Sequence, residues 1–102
     1  MSKKVSDILP KTEILAQLAE EASELAQAAL KLRRALDGTN PTPKSIEECR
    51  KAFEEEYADV MVCMVALGAS DDRKAHKRIE IIASEKHYRW LHRLQDKEQS
   101  DE

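Results

Sequence analysis

The sequence predicts an all-α fold, a helical bundle with three main helices per chain that is completed by oligomerisation. Composition is the first reason. The 102 residues are 41% hydrophobic and 36% charged but only 4% aromatic, with two Gly and three Pro. That is too apolar for a disordered chain, and too poor in Gly, Pro and aromatic residues for a sandwich or barrel. The second reason is periodicity. Leu18, Leu25 and Leu32, with Ala22, Ala29 and Leu36 a turn along, follow the 3.6-residue repeat of an amphipathic helix. The third is punctuation, since helix starts and stops fall between the periodic segments. The length is that of one domain, read here as residues 1–102.

The first helix is placed at about 12–37, with Pro10 and Thr12 as its start signal and Asp37-Gly38 as its stop. Residues 38–44 read as a linker, because Pro41 and Pro43 lack donors and bias their neighbours to extended backbone. Ser45 with Glu48 three residues later forms a capping box, and the second helix runs to 67, ended by Gly68. Asp71 or Asp72 caps a third helix at about 72–95, carried by Ala75, Ile79, Ile82, Ala83, Trp90 and Leu94. The charged tail from Asp96 is expected to fray. The small residues Ala22, Ala26, Ala28 and Ala29 favour close helix approach, and the leucines make an almost coiled-coil seam. Three helices with so few bulky side chains leave that seam short of partners, so a homodimer or homotetramer is expected.

Several functions are excluded early. The longest uncharged apolar stretch, Val60 to Leu67, falls far short of the roughly 20 residues that span a bilayer. The basic Met-Ser-Lys-Lys-Val start is followed by no apolar signal core. A net charge of -3 makes a poor general binder of nucleic-acid polymers. Cys49 and Cys63 lie 14 apart on one helix, which is ~21 Å along its axis, so they cannot pair with each other. Free thiols suit a reducing cytoplasm.

Acidic residues carry the functional signal. With Leu18, Leu25 and Leu32 as heptad position a, Glu21 falls at d inside the seam and Glu24 at the adjoining g. Asp59 is the sole ionisable acid in the apolar run Tyr57 to Leu67, and Glu56 lies one turn before it on the same face. Unpaired ions in a seam cost several kcal/mol each, so something should compensate them. Two i, i+3 carboxylate pairs facing inward make a cage of oxygen ligands suited to Mg²⁺ or Mn²⁺. Taken singly, Glu20, Glu21, Glu24 and Glu54 to Glu56 also read as parts of solvated helix faces. A di-iron bundle would need Glu-x-x-His, but Arg73, Ser84 and Arg89 stand three before His76, His87 and His92. A Cys/His cluster for zinc is missing too. Gly38 and Gly68 are the only glycines, which leaves no phosphate-binding loop. Between Arg73 and Leu94 stand seven Lys/Arg and two acids. Lys86 lies on the apolar stripe, where it can contact phosphate or snorkel to solvent. Trp90 reads as core more readily than as a base-stacking platform, and the three histidines read as surface residues.

Glu20-Glu21-x-x-Glu24 followed by Glu56-x-x-Asp59 resembles the signature of the MazG-like, all-α nucleoside triphosphate pyrophosphohydrolases. The flanks Leu18 to Ala26 and Glu55 to Val60 are similar too, and Lys86-x-x-Arg89-Trp90 resembles the family's later basic run. The likeness spans about residues 12–95. It implies Mg²⁺-dependent hydrolysis between the α- and β-phosphates of a nucleotide, releasing a monophosphate and pyrophosphate. Glu21, Glu24, Glu56 and Asp59 would be the metal ligands, with Glu20 and Glu21 in the catalytic role. Lys86, Arg89 and Trp90 would bind substrate. The 31 residues between Glu24 and Glu56 exceed the usual family spacing, because the linker is long. A non-catalytic helical oligomerisation module is the alternative the sequence leaves open.

Overall fold

A computed structural model describes residues 3–39, 44–68 and 72–100. The described residues form three α-helices, preceded by one short 3-10 turn, and include no strand. The order is α1 (Lys11–Asp37), α2 (Ile46–Ala66) and α3 (Arg73–Ser100). The chain divides into two compact units, Met1–Gly68 and Ala69–Glu102. The first contains α1 packed on α2, and the second contains α3.

Local chemistry sets the helix limits. The 3-10 turn Val5–Asp7 is closed by the Lys4 amide donating to Asp7 Oδ2 at 2.8 Å. The sequence reading did not anticipate this turn. Pro10 is the N-cap of α1, extended at ψ 154° and without a side-chain cap. Its fixed φ sets the entry geometry instead. Gly38 ends α1 in the left-handed region at φ 68°, its amide donating to Arg34 O at 2.9 Å. The expected capping box opens α2: Ser45 Oγ accepts from the Glu48 amide at 3.1 Å, and Glu48 Oε1 accepts from the Ser45 amide at 3.4 Å. Of the two caps proposed for α3, Asp72 acts, accepting from the Ala75 amide at 3.0 Å. Asp71, and residues 40–43 of the expected linker, lie outside the described residues.

Two expectations need correction. Helix α3 continues past the expected end near 95, through Asp96 to Ser100. Gln95, Lys97, Glu98 and Gln99 are good helix formers uninterrupted by Gly or Pro, and Lys97 in the last turn complements the helix dipole. The inward alanine stripe is also narrower than expected. Ala28 is buried, while Ala22, Ala26 and Ala29 are exposed.

The buried hydrophobic residues are Ile14, Ala28, Cys49 and Cys63, all on α1 and α2. Leu18, Leu25 and Leu32 are half-buried beside them. On α2, Met61, Val62, Met64 and Val65 remain exposed, and α3 buries no residue. Among the described residues no helix is long and apolar enough to cross a membrane.

Candidate metal centre

The α1–α2 pair brings acids from both helices to one place. Glu21 and Glu24 lie one turn apart on α1, and Glu56 lies on α2. One ligand oxygen from each falls within 4.8 Å of the other two. Octahedral Mg²⁺ with oxygens at roughly 2.1 Å places neighbouring ligands ~3.0 Å apart and opposite ones ~4.2 Å apart, so the span is close to that of a coordination sphere.

The electrostatics have the signature of an uncompensated cluster. The Glu24 carboxyl is held above its ordinary value of 4.5, first by the charge of Glu21, then by that of Glu56. Partial desolvation and hydrogen bonding to these two carboxyls push the same way. Glu21 and Glu56 are half-buried, and the Oε2 atom of each is buried without a hydrogen-bond partner. A buried oxygen without a donor is costly, and a cation would meet that need. Carboxylate oxygens alone make the donor set, which fits Mg²⁺ or Mn²⁺ rather than a softer metal.

The other sequence candidates are placed differently. Asp59, expected to face inward from its apolar run together with Glu56, is exposed and is not in the three-carboxylate group. The neighbouring apolar residues Met61, Val62, Met64 and Val65 of α2 are exposed as well. The Asp59 charge is felt nearby: burial pushes the Cys63 thiol up, and Glu21 and Asp59 add to the shift. Glu20 is exposed beside Glu21 and outside the group. On α3, Lys86, Arg89 and Trp90 are exposed and, with Arg93, line a surface depression of about 360 Å³. The histidines are exposed as expected, and two have partners one turn away. His76 Nε2 lies 3.0 Å from Glu80 Oε1, and the His92 ring packs on Tyr88 with centroids 4.3 Å apart. Both cysteines are buried and free.

One contributor escaped the sequence reading. Gln17 Nε2 donates to Glu21 Oε1 at 2.8 Å, which occupies one oxygen of that carboxylate and leaves Oε2 as the orphan. The i, i+4 spacing of Gln17 and Glu21 was the available signal. Comparison with known protein families, curated proteins and solved structures gives no match to this chain.

Proposed function

We propose that the chain is a metal-dependent nucleotide pyrophosphohydrolase, cleaving a nucleoside or deoxynucleoside triphosphate to monophosphate and pyrophosphate in nucleotide-pool housekeeping. The observation that carries this reading is the convergence of Glu21, Glu24 and Glu56 from two helices, with two buried orphan oxygens among them. The order of acidic motifs, which resembles that of the MazG-like enzymes, supplies the reaction class. Mg²⁺, or Mn²⁺ in its place, would be held by Glu21, Glu24 and Glu56, with Asp59 one turn along α2 as the fourth candidate. When bound, such an ion would supply a Lewis acid toward phosphate oxygen and lower the pKa of a water on it.

The chain's own residues do the rest. Gln17 orients Glu21 through its 2.8 Å hydrogen bond. Glu20, exposed and adjacent, is free to accept a proton from an attacking water. Lys86 and Arg89 offer cations for phosphate oxygens, and Trp90 offers a face for a base. Phosphoryl transfer needs positioning and charge neutralisation more than covalent help, which suits a site built on carboxylates.

The exposed apolar residues of α2 and α3 support a homodimer or homotetramer, in which that surface would be covered. Light scattering should give a mass at or above twice 11.6 kDa. Free Cys49 and Cys63 fit a cytoplasmic setting. The test of function is a panel of nucleoside triphosphates with Mg²⁺ or Mn²⁺, assayed for pyrophosphate. Release that disappears in a folded Glu24→Gln variant is expected. Orthophosphate as the first product would refute the bond assignment. Absence of any turnover would favour the oligomerisation module.

A further inference from the structure

A groove of about 410 Å³ runs between α1 and α2 beside the carboxylates, and its two ends differ in charge. Glu24, Ala28 and Lys31 line it from α1, Ala52 and Glu56 line it from α2, and Lys44 lines it from just before that helix. The pattern follows from helix geometry. Glu24, Ala28 and Lys31 share one face of α1 over two turns, so Lys31 stands ~10.5 Å along the axis from Glu24. On α2, Ala52 and Glu56 share a face in the same way, and Lys44 lies just before the helix starts. The two alanines keep the passage open where larger side chains would fill it. Its volume is within the roughly 300–1,000 Å³ of small-molecule sites.

A ligand that fits both ends must present oxygens to a cation at one end and negative charge to ammonium groups at the other. Linked phosphates meet both demands with one kind of atom. Among the described residues no acid forms an ion pair with Lys31, so its charge is available to a ligand. We propose that this groove seats the polyphosphate of the substrate, with Lys31 contacting the phosphate oxygens distant from the carboxylates. The assignment rests on the pyrophosphohydrolase reading for its metal end. It adds a phosphate contact on the α1–α2 pair to the cations that Lys86 and Arg89 offer on α3.

The test is titration calorimetry with inorganic pyrophosphate at saturating Mg²⁺, on wild type, Lys31→Gln, Lys31→Arg and Lys74→Gln. Mn²⁺ binding is followed in parallel by electron paramagnetic resonance. Lys31 is exposed, so its variants should fold, and circular dichroism checks that they do. Loss of a charge-assisted hydrogen bond should weaken pyrophosphate binding roughly tenfold or more in Lys31→Gln. Lys31→Arg should retain most of the affinity, Lys74→Gln, an exposed α3 lysine outside the proposed machinery, should match wild type, and Mn²⁺ affinity should be unchanged in Lys31→Gln. Pyrophosphate affinity equal to wild type in Lys31→Gln would overturn the proposal, as would a wild type that binds Mn²⁺ but no pyrophosphate. Lys31-dependent pyrophosphate binding without any Mn²⁺ binding would uphold the groove and reject the metal centre.

Discussion

Replacing Glu56 by glutamine should move stability and metal response in opposite directions. The ligand oxygens of Glu21, Glu24 and Glu56 lie within 4.8 Å of one another. Two unit charges at that separation repel by about 1 kcal/mol at the dielectric of bulk water, and by more where they are partly desolvated. Glu21 and Glu56 are both half-buried, so about 1 kcal/mol is a lower figure for that pair when both are ionised. Glutamine keeps the shape, removes the charge and can donate an amide hydrogen bond to a neighbouring carboxylate. Without metal, the variant should therefore melt above wild type. For a domain of this size a gain of about 1 kcal/mol corresponds to roughly 4–8 °C. With Mn²⁺ at about a hundredfold excess over its Kd, the wild type should gain about 2.7 kcal/mol, because the ion binds only the folded chain. Glu56→Gln, one ligand short, should lose most of that gain. Melting followed by circular dichroism with and without Mn²⁺ measures both quantities on the same samples. A variant that melts below wild type without metal, and keeps the full metal-induced shift, would refute the reasoning.

Acid titration should expose two windows. Glu24 has its folded-state pKa raised above 4.5, so metal-free stability should rise as pH falls from neutrality through that raised value, and the gain should be complete below 4.5. Asp37 is lowered below 3.8 by hydrogen bonds from the Thr39 hydroxyl and amide, so its contribution is full above 3.8 and lost as pH falls through its folded value. Chemical denaturation across pH should show the first window vanish in Glu24→Gln and the second in Asp37→Asn. Ser45→Ala removes the capping-box acceptor of α2 and should cost about 1 kcal/mol in urea unfolding. Ile14→Ala, at a site only 4% exposed, should cost roughly 2–4 kcal/mol by the same assay. Gly38→Ala places a side chain at φ 68°, where nothing lies within 4 Å of the new Cβ. Its cost is backbone strain alone, about 1–2 kcal/mol, and Gly38→Asn should recover part of it.

The helices were legible because their signals are local. Ser45 and Glu48, the Asp37-Gly38 stop and Asp72 each act within a few residues of themselves, and each is found in the expected role. The pairing of Glu21 and Glu24 with Glu56 was legible for a different reason: heptad position put the α1 acids on the face that meets α2. Burial was harder to read. Asp59 sits in an apolar run, yet a run of hydrophobic residues encloses an acid only where another surface covers it. Met61, Val62, Met64 and Val65 are exposed in this chain, and Asp59 is exposed with them. The orienting hydrogen bond from Gln17 depends on a rotamer as well as on spacing. Lys31 gave no signal of its own, because a lysine on a helix flank is ordinary. Only the approach of α2 places it on a groove with Glu24 and Glu56.

The most direct measurement of the central claim is a Mn²⁺ titration read by electron paramagnetic resonance, comparing wild type with Glu21→Gln, Glu24→Gln and Glu56→Gln. Three carboxylates acting as one centre predict saturable Mn²⁺ binding by wild type, competed by Mg²⁺ and sharply weakened in each variant. Wild type that leaves Mn²⁺ free in solution, or variants that bind it as wild type does, would contradict the metal centre.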